Sequence, residues 1–238
     1  PDPARAGIIV ATIRQPPTID AAIAPGALDI PALVDDDGSL RWEGFLVTVV
    51  GDALYLVGAD RRGTIYAIYD FAEAIGVSPW YWWGDVPIRH REHITVAADT
   101  ARADWPSVRY RGVFLNDEEE LHHWARAHTA DGTIGPETYA RIFELLLRLK
   151  GNYLWAAMHV DAFNDDPENG RLADEMGVVI GTQHCDMLLR RKGHEFRPCA
   201  ERRGDEALAV DGRSGGDGIA RDDPDLAGGF QHLDGAEV

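Results

Sequence analysis

Three short apolar runs in the 238-residue chain each end in residues able to do acid–base or hydroxyl-binding chemistry. Val108–Leu115 leads into Asn116, Asp117, Glu118, Glu119 and Glu120. Asn152–Met158 leads into His159, Asp161, Asn164, Asp165 and Asp166, and Gly177–Gly181 into Thr182, Gln183, His184, Cys185 and Asp186. Carboxylates beside a sugar can serve as acid, base or hydroxyl acceptor, and burial tunes them apart. Taken alone, an acidic loop is usually a solvated turn, and a His near an Asp is usually a structural pair. Repetition at the ends of successive runs is what favours chemistry.

The elements that must hold these residues follow from the pattern between them. Pro136–Lys150 carries Tyr139, Ile142, Phe143, Leu146 and Leu149 at helical spacing, with proline in the first turn and Gly151 just beyond. A shorter helical stretch lies around Arg171–Met176. Strand, helix, strand, helix, strand is the grammar of a parallel sheet with crossover helices. An α/β barrel places its chemistry just past the C-terminal ends of such strands.

Upstream, residues 1–100 read as an N-terminal α/β domain. Gly7–Ile13 is a short β-branched run, and Phe45–Val50 and Leu54–Val57 flank Gly51-Asp52-Ala53 as a hairpin. Thr64–Gly76 is amphipathic through Ile65, Ile68, Tyr69, Ala72 and Ile75, with Gly76 as its C-terminal glycine. The glycines at 58 and 63 precede a helix but fit neither a P-loop nor a dinucleotide fingerprint. Ile94–Val96 reads as a closing strand and residues 101–107 as a linker. Trp80, Tyr81, Trp82 and Trp83 form either a sugar-stacking surface or a packed domain junction, and burial of aromatics favours the junction.

Composition narrows the classes. A hydrophobic fraction of 45% supports a sizeable core, and a net charge of -17 argues against a general nucleic-acid binder. No run of about 18 apolar residues marks a membrane span. Two cysteines, Cys185 and Cys199, suggest neither a disulfide framework nor a structural zinc site, so the expectation is no metal. Residues 205–238 are rich in Gly and Asp without periodicity and read as a disordered tail. Residues 108–204 supply too few strands to close an eight-stranded barrel of roughly 250 residues. The chain therefore reads as α/β: an N-terminal α/β domain followed by the first strand-helix units of an incomplete (β/α)8 TIM barrel, the N-terminal portion of something larger and inactive alone.

Six segments carry a resemblance: Arg61–Tyr66, Ile75–Pro87, Tyr110–Glu118, Phe143–Trp155, Phe163–Asp166 and Leu172–Thr182. Together they closely resemble glycoside hydrolase family 115, the xylan α-1,2-glucuronidase family, over about residues 7 to 205. The resemblance implies removal of glucuronic acid, or its 4-O-methyl ether, from glucuronoxylan or its oligosaccharides by inversion, without redox cofactor or catalytic metal. It implies a catalytic role for Asp117, as base or hydroxyl-binding carboxylate, with Glu118 second. Asn116, Trp155, His159, Asn164, His184 and Asp186 are the expected sugar contacts. The general acid and an Arg for the sugar carboxylate are expected on later strands. His159 replaces an aromatic common in the family, and Gln183–Met187 departs from its His-Glu-Pro-Met form. The polymer substrate points to an extracellular or periplasmic location, and dimerisation is left open. The rival expectation is a non-catalytic carbohydrate-binding remnant acting through Trp80, Trp82 and Trp83.

Overall fold

The computed structural model describes residues 7–13, 28–115, 118–158 and 161–181, and the two sheets within them differ in kind. The first is mixed and contains β1 (Ile8–Thr12), β2 (Phe45–Val50), β3 (Ala53–Gly58) and β4 (Ala101–Asp104) in the order β1-β3-β2-β4. β1 runs parallel to β3, while β2 is antiparallel to both β3 and β4. The expected hairpin is present, with Gly51 at φ 61 in its turn. Both faces of this sheet are covered. Phe45, Val47, Leu54 and Leu56 enter one core with Tyr66 and Ala67 of helix α1 (Arg61–Ala74). Leu46, Tyr55 and Val57 enter a second core with Leu28 and Leu33. Burial on both sides explains why β3 is an uninterrupted apolar run instead of an alternating one.

Helix α1 begins three residues before the expected Thr64, because Asp60 caps it by accepting a 2.9 Å hydrogen bond from the Gly63 amide. Gly63 is there for close approach, since a Cβ on it would lie 2.3 Å from the Gly44 carbonyl oxygen. At the other end Gly76 adopts φ 99, and the Gly76 and Val77 amides bond back to Glu73 and Ala72. This is the αL termination expected of that glycine.

Two expectations in this region are corrected. Ile94–Val96 is not a strand, and the stretch expected to be a linker contains β4. β4 lies at the sheet edge with most of its residues exposed, so its Ala-Arg-Ala-Asp sequence needs no apolar pattern and gives no strand signal.

The second sheet is parallel, with β5 (Gly112–Phe114), β6 (Tyr153–Trp155) and β7 (Val179–Gly181) in chain order. Its strands are shorter than the apolar runs that announce them. Two helices, α2 (Glu118–His128) and α3 (Pro136–Arg148), connect β5 to β6; α4 (Pro167–Met176) connects β6 to β7. Of the acidic cluster, expected as a loop, Glu118, Glu119 and Glu120 form the first turn of α2 and face the positive end of the helix dipole. α3 buries Tyr139, Ile142, Phe143, Leu146 and Leu147. Leu149, expected on that face, is its C-terminal cap and is 47% exposed. α4 starts before the expected Arg171 because Asp166 caps it through the Glu168 amide at 2.8 Å. No helix among the described residues is long and apolar enough to cross a membrane. The expected tail, 205–238, lies outside the described residues.

A buried carboxylate ties the first sheet to the second. Glu43, fully buried and at φ 54, receives Arg62, Arg111 at 2.5 Å and the Asn152 amide at 2.8 Å. Arg111 directly precedes β5, and Asn152 directly precedes β6. Tyr66 donates to the Gly151 carbonyl at 2.9 Å, and Arg62 donates to the Gly177 carbonyl, before β7, at 3.1 Å. The N-terminal unit thus grips the entrance of all three parallel strands. Their exits carry the candidate chemistry.

Candidate functional site

Of the expected site residues, Glu118, Trp155 and Asn164 are described; Asn116, Asp117, His159, His184 and Asp186 lie outside the described residues. Glu118 opens α2, and its carboxylate accepts a 2.9 Å hydrogen bond from the Met158 amide, just past β6. Trp155 closes β6, stacks on Phe114 of β5 at 4.0 Å and donates from Nε1 to the Met158 sulfur at 3.4 Å. Glu118 and Trp155, 37 positions apart in the chain, therefore converge on Met158. Asn164 sits half-buried in the short 3-10 turn Phe163–Asp165.

The segment after β6 is gripped by further side chains: Asp161, read among the polar residues after the second apolar run, and Tyr139, read only as part of the apolar face of α3. The Ala157 amide donates to the Tyr139 hydroxyl at 3.2 Å. Asp161, at φ 59, accepts from the Ile134 amide at 3.3 Å. Its carboxylate also lies 2.9 Å from His122 Nδ1, close but off hydrogen-bond alignment. Burial pushes the Tyr139 phenol up, reinforced by the negative charges of Glu118 and Asp161 and opposed by the Ala157 hydrogen bond. Tyr139 therefore stays neutral. The buried Tyr139 hydroxyl orients main chain, while the half-buried carboxylates of Glu118 and Asp161 are of a type that can also bind sugar hydroxyls or host acid–base chemistry. His122 was hidden because α2 gave too short an apolar stripe to be read as a helix; Asp161 falls among the polar residues read after the second run, but its left-handed backbone and its approach to His122 leave no mark in the sequence.

Among the described residues no group of three or more His, Cys, Asp or Glu side chains could hold a metal ion. A cavity of about 300 Å³ does exist, but Arg111, Lys150, Glu43 and Trp105 line it at the entrance end of the strands. In barrels that end serves stability, and the chemistry belongs to the other.

The aromatic cluster is packed at a junction. Trp83 stacks on Trp124 of α2 at 4.3 Å and donates to the Arg141 carbonyl at 3.4 Å. The Arg141 guanidinium covers Trp82 at 4.0 Å, and Tyr81 donates to Glu144 at 2.7 Å. Trp80 alone of the three tryptophans is strongly exposed, at 47%. Trp82 and Trp83 are thus each covered by a partner from α2 or α3, which favours the junction reading of the cluster.

Residues 103–209 match the model of Glycosyl hydrolase family 115. A solved structure described as a family GH115 4-O-methyl-α-glucuronidase with specificity for decorated arabinogalactans is similar at 37% identity and a TM-score of 0.66. The match covers 76% of this chain and 24% of that one, so the chain spans about a quarter of the length of that enzyme. No curated protein matches.

Proposed function

Because the chain belongs to glycoside hydrolase family 115, we propose that its three parallel strands open the (β/α)8 barrel of an enzyme that removes glucuronic acid decorations from polysaccharides. The observation that carries this reading is the convergence of Glu118, Trp155, Tyr139 and Asp161 on the exits of β5 and β6, where a barrel does its chemistry. Asp117 is the base or hydroxyl-binding carboxylate. Asn116, His159, Asn164, His184 and Asp186 contact sugar with Trp155. The sugar is glucuronic acid or its 4-O-methyl ether, the carrier is glucuronoxylan or its oligosaccharides, and the enzyme works outside the cytoplasm.

Hydrolysis runs with inversion. An ionised base and a protonated acid stand roughly 6.5–9.5 Å apart, with water between base and anomeric carbon. The base removes the water proton as the new C–O bond forms, while the acid protonates the departing glycosidic oxygen. That acid comes from strands beyond β7, as does the Arg that would clasp the sugar carboxylate in bidentate fashion.

The test is direct. The complete protein, carrying the strands that supply the acid and the Arg, is incubated separately with 4-O-methylglucuronoxylan and a glucuronic-acid-decorated arabinogalactan, and released uronic acid is separated by anion-exchange chromatography. Release of uronic acid without shortening of the main chain supports the reading. Main-chain fragments without free uronic acid would replace it with an endo-acting hydrolase.

A further inference from the structure

Within the acidic cluster, the described side chain of Glu118 bonds across to another strand exit. Glu119 and Glu120 are exposed, whereas Glu118 is half-buried and reaches the Met158 amide at 2.9 Å. Met158 in turn takes the indole N–H of Trp155 on its sulfur, at 3.4 Å. The neighbouring amide, Ala157, is held by Tyr139, and the carboxylate of Asp161 is held by the Ile134 amide. The segment after β6 is thus gripped at Ala157, Met158 and Asp161 by residues of the β5–β6 connection. It is also the segment that carries His159.

We infer that Glu118 is a positioning residue: its carboxylate clamps the Met158 amide and sets the height of the segment after β6, and it does not act as the base. The inference rests on the function proposed above for its kinetic part only. A base for inversion has to hold a water against the sugar. In Glu118 one carboxylate oxygen holds a peptide N–H instead. The Met158 amide has left β6 and cannot pair within the sheet, so losing the clamp would leave a largely buried donor unsatisfied.

The two roles separate on substitution. Glu118→Gln keeps an acceptor oxygen at the same reach but cannot take a proton at neutral pH; Glu118→Ala removes both capacities. Both variants of the complete protein are followed by hydrogen–deuterium exchange over residues 155–163, and by kcat and KM on a glucuronic-acid-decorated oligosaccharide. As a clamp, Glu118→Ala accelerates exchange at Met158 and lowers kcat/KM, while Glu118→Gln restores protection and holds the loss within about tenfold. As a base, the Gln variant would lose kcat by ~10²–10⁴-fold while the segment stays protected, which overturns the inference. If exchange in the Ala variant equals wild type, the clamp is equally refuted. The exchange readout decides even if the wild type releases no uronic acid, an outcome that sinks the proposed function separately.

Discussion

Arg111 places its Nη2 2.5 Å from the buried carboxylate of Glu43, joining the segments that enter the two sheets, 68 positions apart. Arg111 also donates to the Lys150 and Val108 carbonyls, and its own amide donates to Asn152 at 2.9 Å. One ion pair therefore fixes the loops entering β5 and β6 against the N-terminal sheet. Removing the acid strands Arg62 and Arg111, with side-chain exposures of only 18% and 24%.

Glu43→Ala is accordingly expected to lower unfolding stability by roughly 3 kcal/mol, in line with breaking a buried pair by deleting one partner. Glu43→Gln keeps the hydrogen-bonding shape and loses less. Urea midpoints of the two variants check the order; equal, small losses would mean that the network is replaceable.

Two glycines separate close packing from mere helix propensity. A Cβ on Gly63 would lie 2.3 Å from the Gly44 carbonyl oxygen, whereas one on Gly170 in α4 meets nothing within 4 Å. Gly63→Ala is expected to destabilise by about 1–3 kcal/mol through overpacking. Gly170→Ala is expected to stabilise by up to about 1 kcal/mol. Thermal midpoints should move in opposite directions.

Much of this architecture was legible. The β2–β3 hairpin, the apolar face of α3 and the glycine terminating α1 follow from alternation, helical spacing and αL chemistry, because local preference and tertiary burial agree there. β4 was missed because an edge strand needs no apolar pattern. The end of α3 was misread for a related reason. Lys150 at φ 59 takes the left-handed position, and Gly151 serves close packing, a Cβ there lying 2.5 Å from Leu146 Cδ1. Lys150 lies 2.8 Å from Asp70, a contact 80 residues distant that no local reading shows. At the site, strand exits were readable from composition changes, but the bonds from Tyr139 and Glu118 to main-chain amides were not, since backbone partners leave no sequence mark.

Alkaline pH should expose the buried phenols. Burial pushes both Tyr66 and Tyr139 up from the ordinary value near 10. Their folded-state pKa exceeds the unfolded one, so their contribution is complete below about pH 10 and is lost as pH rises further. Stability should fall between pH 10 and 12, and Tyr66→Phe or Tyr139→Phe should flatten that fall while costing about 1–3 kcal/mol at neutral pH. Denaturant titrations at pH 8, 10 and 11 give the slopes.

Trp83 and Trp124 stack at 4.3 Å with an interplanar angle of 28°. Trp83→Ala is expected to remove a near-ultraviolet circular dichroism band arising from this pair. It should cost about 0.5–1.5 kcal/mol beyond lost burial. Glucuronoxylan should not retard the wild type more than this variant in an affinity gel; selective loss of retardation in the variant would assign the ring to sugar binding.

The central claim is hydrolysis at the exits of β5 and β6 with Asp117 as base. The most direct measurement follows the anomeric protons of released uronic acid by NMR in the first minutes of reaction, for wild type and Asp117→Asn. The account predicts β-configured product first from an α-linked substrate, and a kcat lower by ~10²–10⁴-fold in the variant. First-formed α product, or an Asp117→Asn variant as fast as wild type, would contradict it.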